Sequence, residues 1–164
     1  MKKETQIRRD EIKVVGLTVR TNNKQESNFE VGKMFPCIRR YFHENIADLI
    51  PHRKNPGTTF CIYTDYESDH NGDYTYIIGE EVESFDQMAD DLISHTIAPQ
   101  TYTKFTSGPG CMPDVVKDPW FKIWDMSPEE LGGTRGYLAD FEIYDERAKD
   151  HNHMTLDIFI GIKT

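Results

Sequence analysis

The same order of structural signals occurs twice along this chain, and no other feature of the sequence narrows the fold so far. Glu11 to Thr21 alternates as a strand does, with Val15, Leu17 and Val19 on one face, until Asn22 and Asn23 end it. Pro36 suits the first position of a helix, where its fixed φ and missing N–H are tolerated. Ile38, Tyr41, Phe42, Ile46 and Leu49 follow at helical spacing and form one apolar stripe, which Pro51 stops. After a polar connector from His52 to Thr58 come two strands, Thr59 to Tyr66 and Tyr74 to Val82, rich in β-branched and aromatic residues. The turn residues between them, Ser68 to Asp73, make the pair a hairpin.

A second pass begins beyond the acidic stretch Asp86 to Asp91. A strand is expected from about Ile97 to Phe105, with Pro99 marking its start or an edge position. Gly108-Pro109-Gly110 then breaks the chain, and a helix runs from Pro113 to Asp125, kinked or restarted at Asp118-Pro119. Ser127 reads as the N-cap of a short helix closed by Gly132-Gly133. A last hairpin joins Thr134–Tyr144 to Met154–Lys163. Local echoes support the repetition: Tyr63-Thr64-Asp65-Tyr66 leads to Ile77-Ile78-Gly79, and Phe141-Glu142-Ile143-Tyr144 leads to Phe159-Ile160-Gly161. The expectation is a single α+β domain over residues 1–164, built from duplicated β-α-β-β modules at about 11–83 and 95–163 and related by a pseudo-twofold axis.

Composition excludes several classes of function. The 164 residues are enough for one core, and the longest apolar runs, such as Ile158–Ile162, are far too short to span a membrane. The first residues are basic but have no apolar stretch behind them, so they form no secretory signal. A formal net charge of −9 argues against nucleic-acid binding, which depends on neutralising phosphates, and favours the approach of cations. Cys37, Cys61 and Cys111 are odd in number and far apart, which reads as free thiols in a reducing cytoplasm. Their spacing suits no metal, and His151 and His153 lie in a polar turn without further ligands nearby. No nucleotide or dinucleotide fingerprint and no nucleophile elbow is present, so no cofactor and no catalytic set is expected.

Several segments match one known family in order and spacing. They are Val14-Val15-Gly16-Leu17; Tyr63 to Tyr66 with Tyr74 to Gly79; Ile97 to Phe105; Trp120-Phe121-Lys122-Ile123-Trp124; Asp140-Phe141-Glu142-Ile143-Tyr144; and the final strand Ile158 to Ile162. Together they resemble the gyrase-inhibitor-like, or AraC-type effector-binding, family over nearly the whole chain. The resemblance implies one antiparallel sheet and two main helices enclosing a central groove, in which relatives bind small, often lipophilic cations. It also implies a stand-alone effector-binding domain, since only about ten residues precede the first expected strand and none reads as a DNA-binding motif.

The resemblance places Glu142 in that groove, facing a ligand cation. A carboxylate in a partly desolvated aromatic site offsets positive charge while ring faces add cation–π attraction. Alternation along the strand puts Glu142 on one face with Asp140 and Tyr144, a face that the residues alone would equally allow to be solvated. Trp120 and Trp124 lie one helical turn apart, and the resemblance favours Trp120 as groove lining, with core packing the alternative for either. Tyr63, Tyr76, Tyr102 and Tyr137 are candidate wall residues, and Met34 and Phe35 a candidate rim. Glu80, Glu81 and Glu83 read as a solvated acidic edge. The leading functional expectation is a protein that binds a small-molecule ligand, an organic cation, and sequesters it or signals it to a regulatory protein partner. Two alternatives stay open: a hydrolase of small electrophiles with Glu142 as general base, paired across the groove with Glu67, and an inhibitor acting by protein contact.

Overall fold

The computed structural model describes residues 1–164. Eight strands, β1 (Lys2–Arg9), β2 (Ile12–Thr21), β3 (Thr59–Thr64), β4 (Tyr74–Glu81), β5 (Ile93–Ile97), β6 (Gln100–Gly110), β7 (Ala139–Tyr144) and β8 (Met154–Ile162), form one antiparallel sheet. Helices are α1 (Asn23–Glu26), α2 (Met34–His43), α3 (Asp114–Asp125) and α4 (Pro128–Leu131), with 3-10 turns at Ile46–Leu49 and Glu146–Ala148. The strand order is β1-β6-β8-β7-β3-β4-β2-β5, so the two halves meet at β7 and β3 in the middle. The α+β class, the single antiparallel sheet and the two main helices are as expected.

The sheet cannot be flat. Arg9 pairs with Gln100 and Ile12 with Ile97, and the register runs on unbroken across the two-residue linkers Asp10-Glu11 and Ala98-Pro99. Strands β1 and β2 stand six positions apart in the order, which is roughly 29 Å in a flat sheet. The chain from residue 9 to residue 12 spans at most about 11 Å. The sheet therefore bends until its edges approach, and β1–β2 and β5–β6 form one long two-stranded ribbon.

Bending buries one face without any helix. Ile12, Val14, Phe60, Ile62, Ile77, Tyr102, Phe141 and Phe159 are all buried in a cluster that contains no helical residue. The Arg9 guanidinium lies 4.9 Å from the Phe159 ring centre and 5.4 Å from that of Phe141, over this core. On the other face α2 covers a cluster around Tyr41, Tyr76 and Ile78, and α3 covers a second around Ile123, Leu156 and Ile158. Tyr63 on β3 and Tyr144 on β7 pack against both clusters, so they lie in the seam between the helices.

Several boundaries differ from the sequence reading. Residues 2–9 form an edge strand, and the region around Ile97 holds two strands, β5 and β6, with Pro99 in the linker. Gly108-Pro109-Gly110 lies at the end of β6, where the register with β8 shifts, and does not break the strand. Thr134 to Leu138 is a loop, and β7 begins at Ala139. The first main helix, α2, begins at Met34 and stops at His43, because Asn45 takes a left-handed conformation before the 3-10 turn. That interruption leaves Phe42 and Leu49 exposed, outside the expected stripe. Helix α3 runs through Pro119 without a break. Proline withholds the N–H that would reach Val115, and the Ser107 hydroxyl donates to that carbonyl at 2.7 Å in its place. Glu80 is not part of a solvated edge: it is buried and accepts from Gly57 N–H at 3.3 Å and Arg53 Nη1 at 3.4 Å.

The motif glycines have a steric cause. Gly16 pairs with Gly79, and a Cβ on Gly79 would run into the Val15 carbonyl oxygen, while one on Gly16 would run into that of Ile78. Both obstacles are backbone and cannot swing away. Gly79→Ala is expected to destabilise the fold by about 1–3 kcal/mol, read as a lower urea midpoint at unchanged slope.

Candidate ligand-binding site

Glu142 sits on β7, between Cys61 of β3 and Ile158 of β8, with its side chain on the helical face. It is 2% exposed. One carboxylate oxygen accepts from the Trp120 Nε1–H at 2.6 Å and from the Tyr63 hydroxyl at 2.9 Å, and the other accepts from the Tyr144 hydroxyl at 2.7 Å. None of the ion pairs in the structure includes it. Burial pushes its carboxyl above the usual range, and the three donors from Tyr144, Trp120 and Tyr63 pull it back toward ionisation. Burial likewise holds the phenols of Tyr63 and Tyr144 well above their ordinary value, with the Glu142 charge adding to the effect, so both remain donors at neutral pH.

The register explains why these groups meet. Ile62 pairs with Phe141 across the seam, and Tyr63 and Glu142 each lie one residue beyond that pair on their own strands. Their side chains emerge on the same face of the sheet and bond to each other. Glu67, offered as a symmetry-related carboxylate partner, is exposed in the β3–β4 hairpin and makes no bond to Glu142. The residue that comes to Glu142 from the other half is a tyrosine.

In front of this group lies a cavity of about 470 Å³, within the size range of small-molecule sites. Tyr63, Tyr66 and Tyr74 form its floor, Trp120, Phe121 and Trp124 of α3 one wall, and Met34 and Glu26 the other. Glu26 also caps α2: its carboxylate accepts from Lys33 N–H at 2.8 Å and Met34 N–H at 3.0 Å. Ring centres in the floor lie 5.1–5.6 Å apart, Tyr63 against Trp120, Tyr74 and Tyr76. His70, from the hairpin loop, stacks on Trp124 at 5.8 Å and closes one side. Glu142 does not itself reach the cavity surface; Tyr63 and Trp120, which donate to it, do.

The expected site residues therefore separate into groups. Met34, Tyr63, Trp120 and Trp124 line the cavity, while Glu142 and Tyr76 lie directly behind it. Tyr137 stands one ring further out, against Tyr66 at 5.6 Å and under Arg135. Phe35, 55% exposed, packs on Phe29 outside the cavity. Tyr102 faces the opposite side of the sheet, in the helix-free core with Phe141 and Phe159. The sequence reading did not single out Tyr66, Tyr74, His70, Glu26 or Arg135 as site residues. Tyr66 and Tyr74 bracket the hairpin turn, and the Tyr66 hydroxyl donates to Asp140 at 2.6 Å. Asp140 also holds Arg135 at 2.5 Å and accepts from the Gly161 N–H at 2.8 Å. No three His, Cys, Asp or Glu side chains converge to hold a metal, and no helix is long and apolar enough to cross a membrane.

Residues 7–162 match the family described as integron-associated effector binding protein, Cass2. YobU of Bacillus subtilis strain 168, named as a candidate transcriptional regulator, is 26% identical over 149 residues, or 90% of each chain. The integron cassette protein VCH_CASS2 from the mobile metagenome of Vibrio cholerae shares 25% identity and superposes with a TM-score of 0.76, over 98% of this chain and 95% of that one. SAV2435, solved bound to tetraphenylphosphonium, superposes at 0.77 with 19% identity, covering 99% of this chain and 94% of its own. With all but the terminal residues matched and the fold shared, the chain belongs to the Cass2 family of integron-associated effector binding proteins.

Proposed function

We propose that this protein binds a lipophilic organic cation in the Tyr63–Trp120 cavity and reports its presence to a regulatory protein partner. The observation that carries the reading is Glu142: a buried carboxylate with three neutral donors and no cation, directly behind an aromatic wall. Hydrogen bonds from Tyr63 and Trp120 to that carboxylate polarise both rings and make their faces more attractive to positive charge. The cation then lies on the rings with the carboxylate behind them. Family membership supports an effector-binding role, and SAV2435, alike in fold, was solved with a cation of this class. The same geometry weighs against Glu142 as a general base, because its oxygens are held by donors behind the cavity wall.

Titration of the protein with tetraphenylphosphonium, and separately with the neutral hydrocarbon triphenylmethane, tests this. The cation is expected to raise the melting temperature with concentration and the hydrocarbon is not. Cation affinity is expected to fall as pH is lowered through the raised range of Glu142, since protonation removes the charge that the ligand needs. Equal binding of the neutral compound, or an affinity that ignores pH across that range, would sink the proposal.

A further inference from the structure

At the other end of the same cavity the structure leaves a second recognition element unused. Arg135 lines the cavity, and its side chain is only 8% exposed. The guanidinium centre lies 4.3 Å from the Tyr137 ring centre, and one terminal nitrogen bonds Asp140 at 2.5 Å. Its Nε and its other terminal nitrogen are buried and have no partner at all. Asp140 does not satisfy them: one of its oxygens accepts from Tyr66 and from the bonded terminal nitrogen of Arg135, and the other from the Gly161 N–H. Buried donors left unmade are costly and uncommon. A residue serving only to tie the 132–138 loop to β7 would need none of the second pair of donors.

Resting on the cation reading of this cavity, we infer that the effector also carries a neutral oxygen acceptor, an ester- or amide-type carbonyl, which Arg135 reads through its free terminal nitrogen. Asp140 already cancels the charge of Arg135, so the site asks for an acceptor and not for an anion. Carboxylates of Asp140, Glu142 and Glu26 around the same space disfavour a negatively charged group. Asp140 and Glu142 are two residues apart, roughly 7 Å, on one face of β7, so the groups they support, Arg135 and the Tyr63–Trp120 pair, are neighbours around the same cavity.

Three phosphonium probes separate these terms: pentyltriphenylphosphonium, its counterpart ending in a methyl ester, and its counterpart ending in a carboxylate. Calorimetric titration of the wild type is expected to rank the ester about tenfold tighter than the pentyl compound, with the carboxylate no tighter than the pentyl. In Arg135→Lys, which keeps a charge for Asp140 but lacks the guanidinium fork, the ester-to-pentyl ratio is expected to fall to about one. Should that variant fail to fold, the side-chain Nε–H signal of Arg135 in labelled wild-type protein serves instead; it shifts with the ester and not with the pentyl compound. Equal binding of ester and pentyl overturns the inference and leaves the cation site standing. So does a ratio that persists in Arg135→Lys, an Nε–H signal that stays unmoved by the ester, or a carboxylate that binds tightest. If no probe binds, the cation reading itself falls and the inference with it.

Discussion

Glu142→Gln is expected to weaken tetraphenylphosphonium binding by about 2–5 kcal/mol, roughly 30-fold or more in Kd, the usual consequence of removing one charge of a buried pair. The substitution keeps the shape and an acceptor for the Trp120 and Tyr63 donors, so a loss of binding reports the charge and not the packing. Stability is expected to move the other way. Because burial raises the Glu142 carboxyl in the folded state, the unfolded chain releases this proton first as pH rises. Between the ordinary carboxylate value and the raised one, the folded state binds more protons, and stability declines with pH. Glutamine carries no such term. Melting temperatures of variant and wild type, compared from pH 4 to pH 8 (about the span that brackets a carboxylate pushed upward), should diverge in favour of the variant as pH increases. A variant that binds the cation as tightly as wild type would remove Glu142 from the site. One that loses stability relative to wild type as pH rises would show that the buried charge is a net asset to the fold.

Phe141→Ala should cost about 3–5 kcal/mol of folding stability, the largest loss expected from any single substitution considered. Phe141 is 0% exposed and sits among Phe159 at 4.8 Å, Tyr102 at 5.2 Å and Phe60 at 5.6 Å. It is the middle of a core that no helix covers, so no mobile element can settle into the space. Chemical denaturation gives the number. A loss below about 1 kcal/mol would mean that the strands close over the gap. Phe141 and Glu142 are neighbours on opposite faces of β7, so the pair of variants separates what the two faces do: one holds the sheet together, the other backs the aromatic cavity.

Hairpins, helices and the polar face of β7 were legible because each carries local chemistry: turn residues, a proline near a helix start, alternation along a strand. β1 was not. Lys2–Arg9 is mostly exposed and charged, and its strand conformation comes from pairing with β6, about a hundred residues away in the sequence. Glu142 was legible through the alternation and the motif around it, and Tyr144, two residues on, through the same alternation. Tyr102 was placed on the wrong side because both faces of β6 are buried, and hydrophobicity cannot then say which face meets the helices. Arg135 was missed for a different reason. It lies in a loop, and what singles it out, two donors without acceptors, is a property of three-dimensional surroundings and leaves no trace in spacing.

The long ribbon has a kinetic consequence. Each half of the chain lends its leading strand to the other: β1, which precedes β2, completes the β6 edge, while β5, which precedes β6, completes the β2 edge. Neither half completes its own edge while the other is unfolded, which disfavours a stable half-molecule along the way. Residues 2–16 must find residues 93–106 before either edge forms, a search over a long loop that slows folding. The two halves are therefore expected to unfold in one cooperative transition, seen as coincident denaturation curves from tryptophan fluorescence and far-ultraviolet circular dichroism.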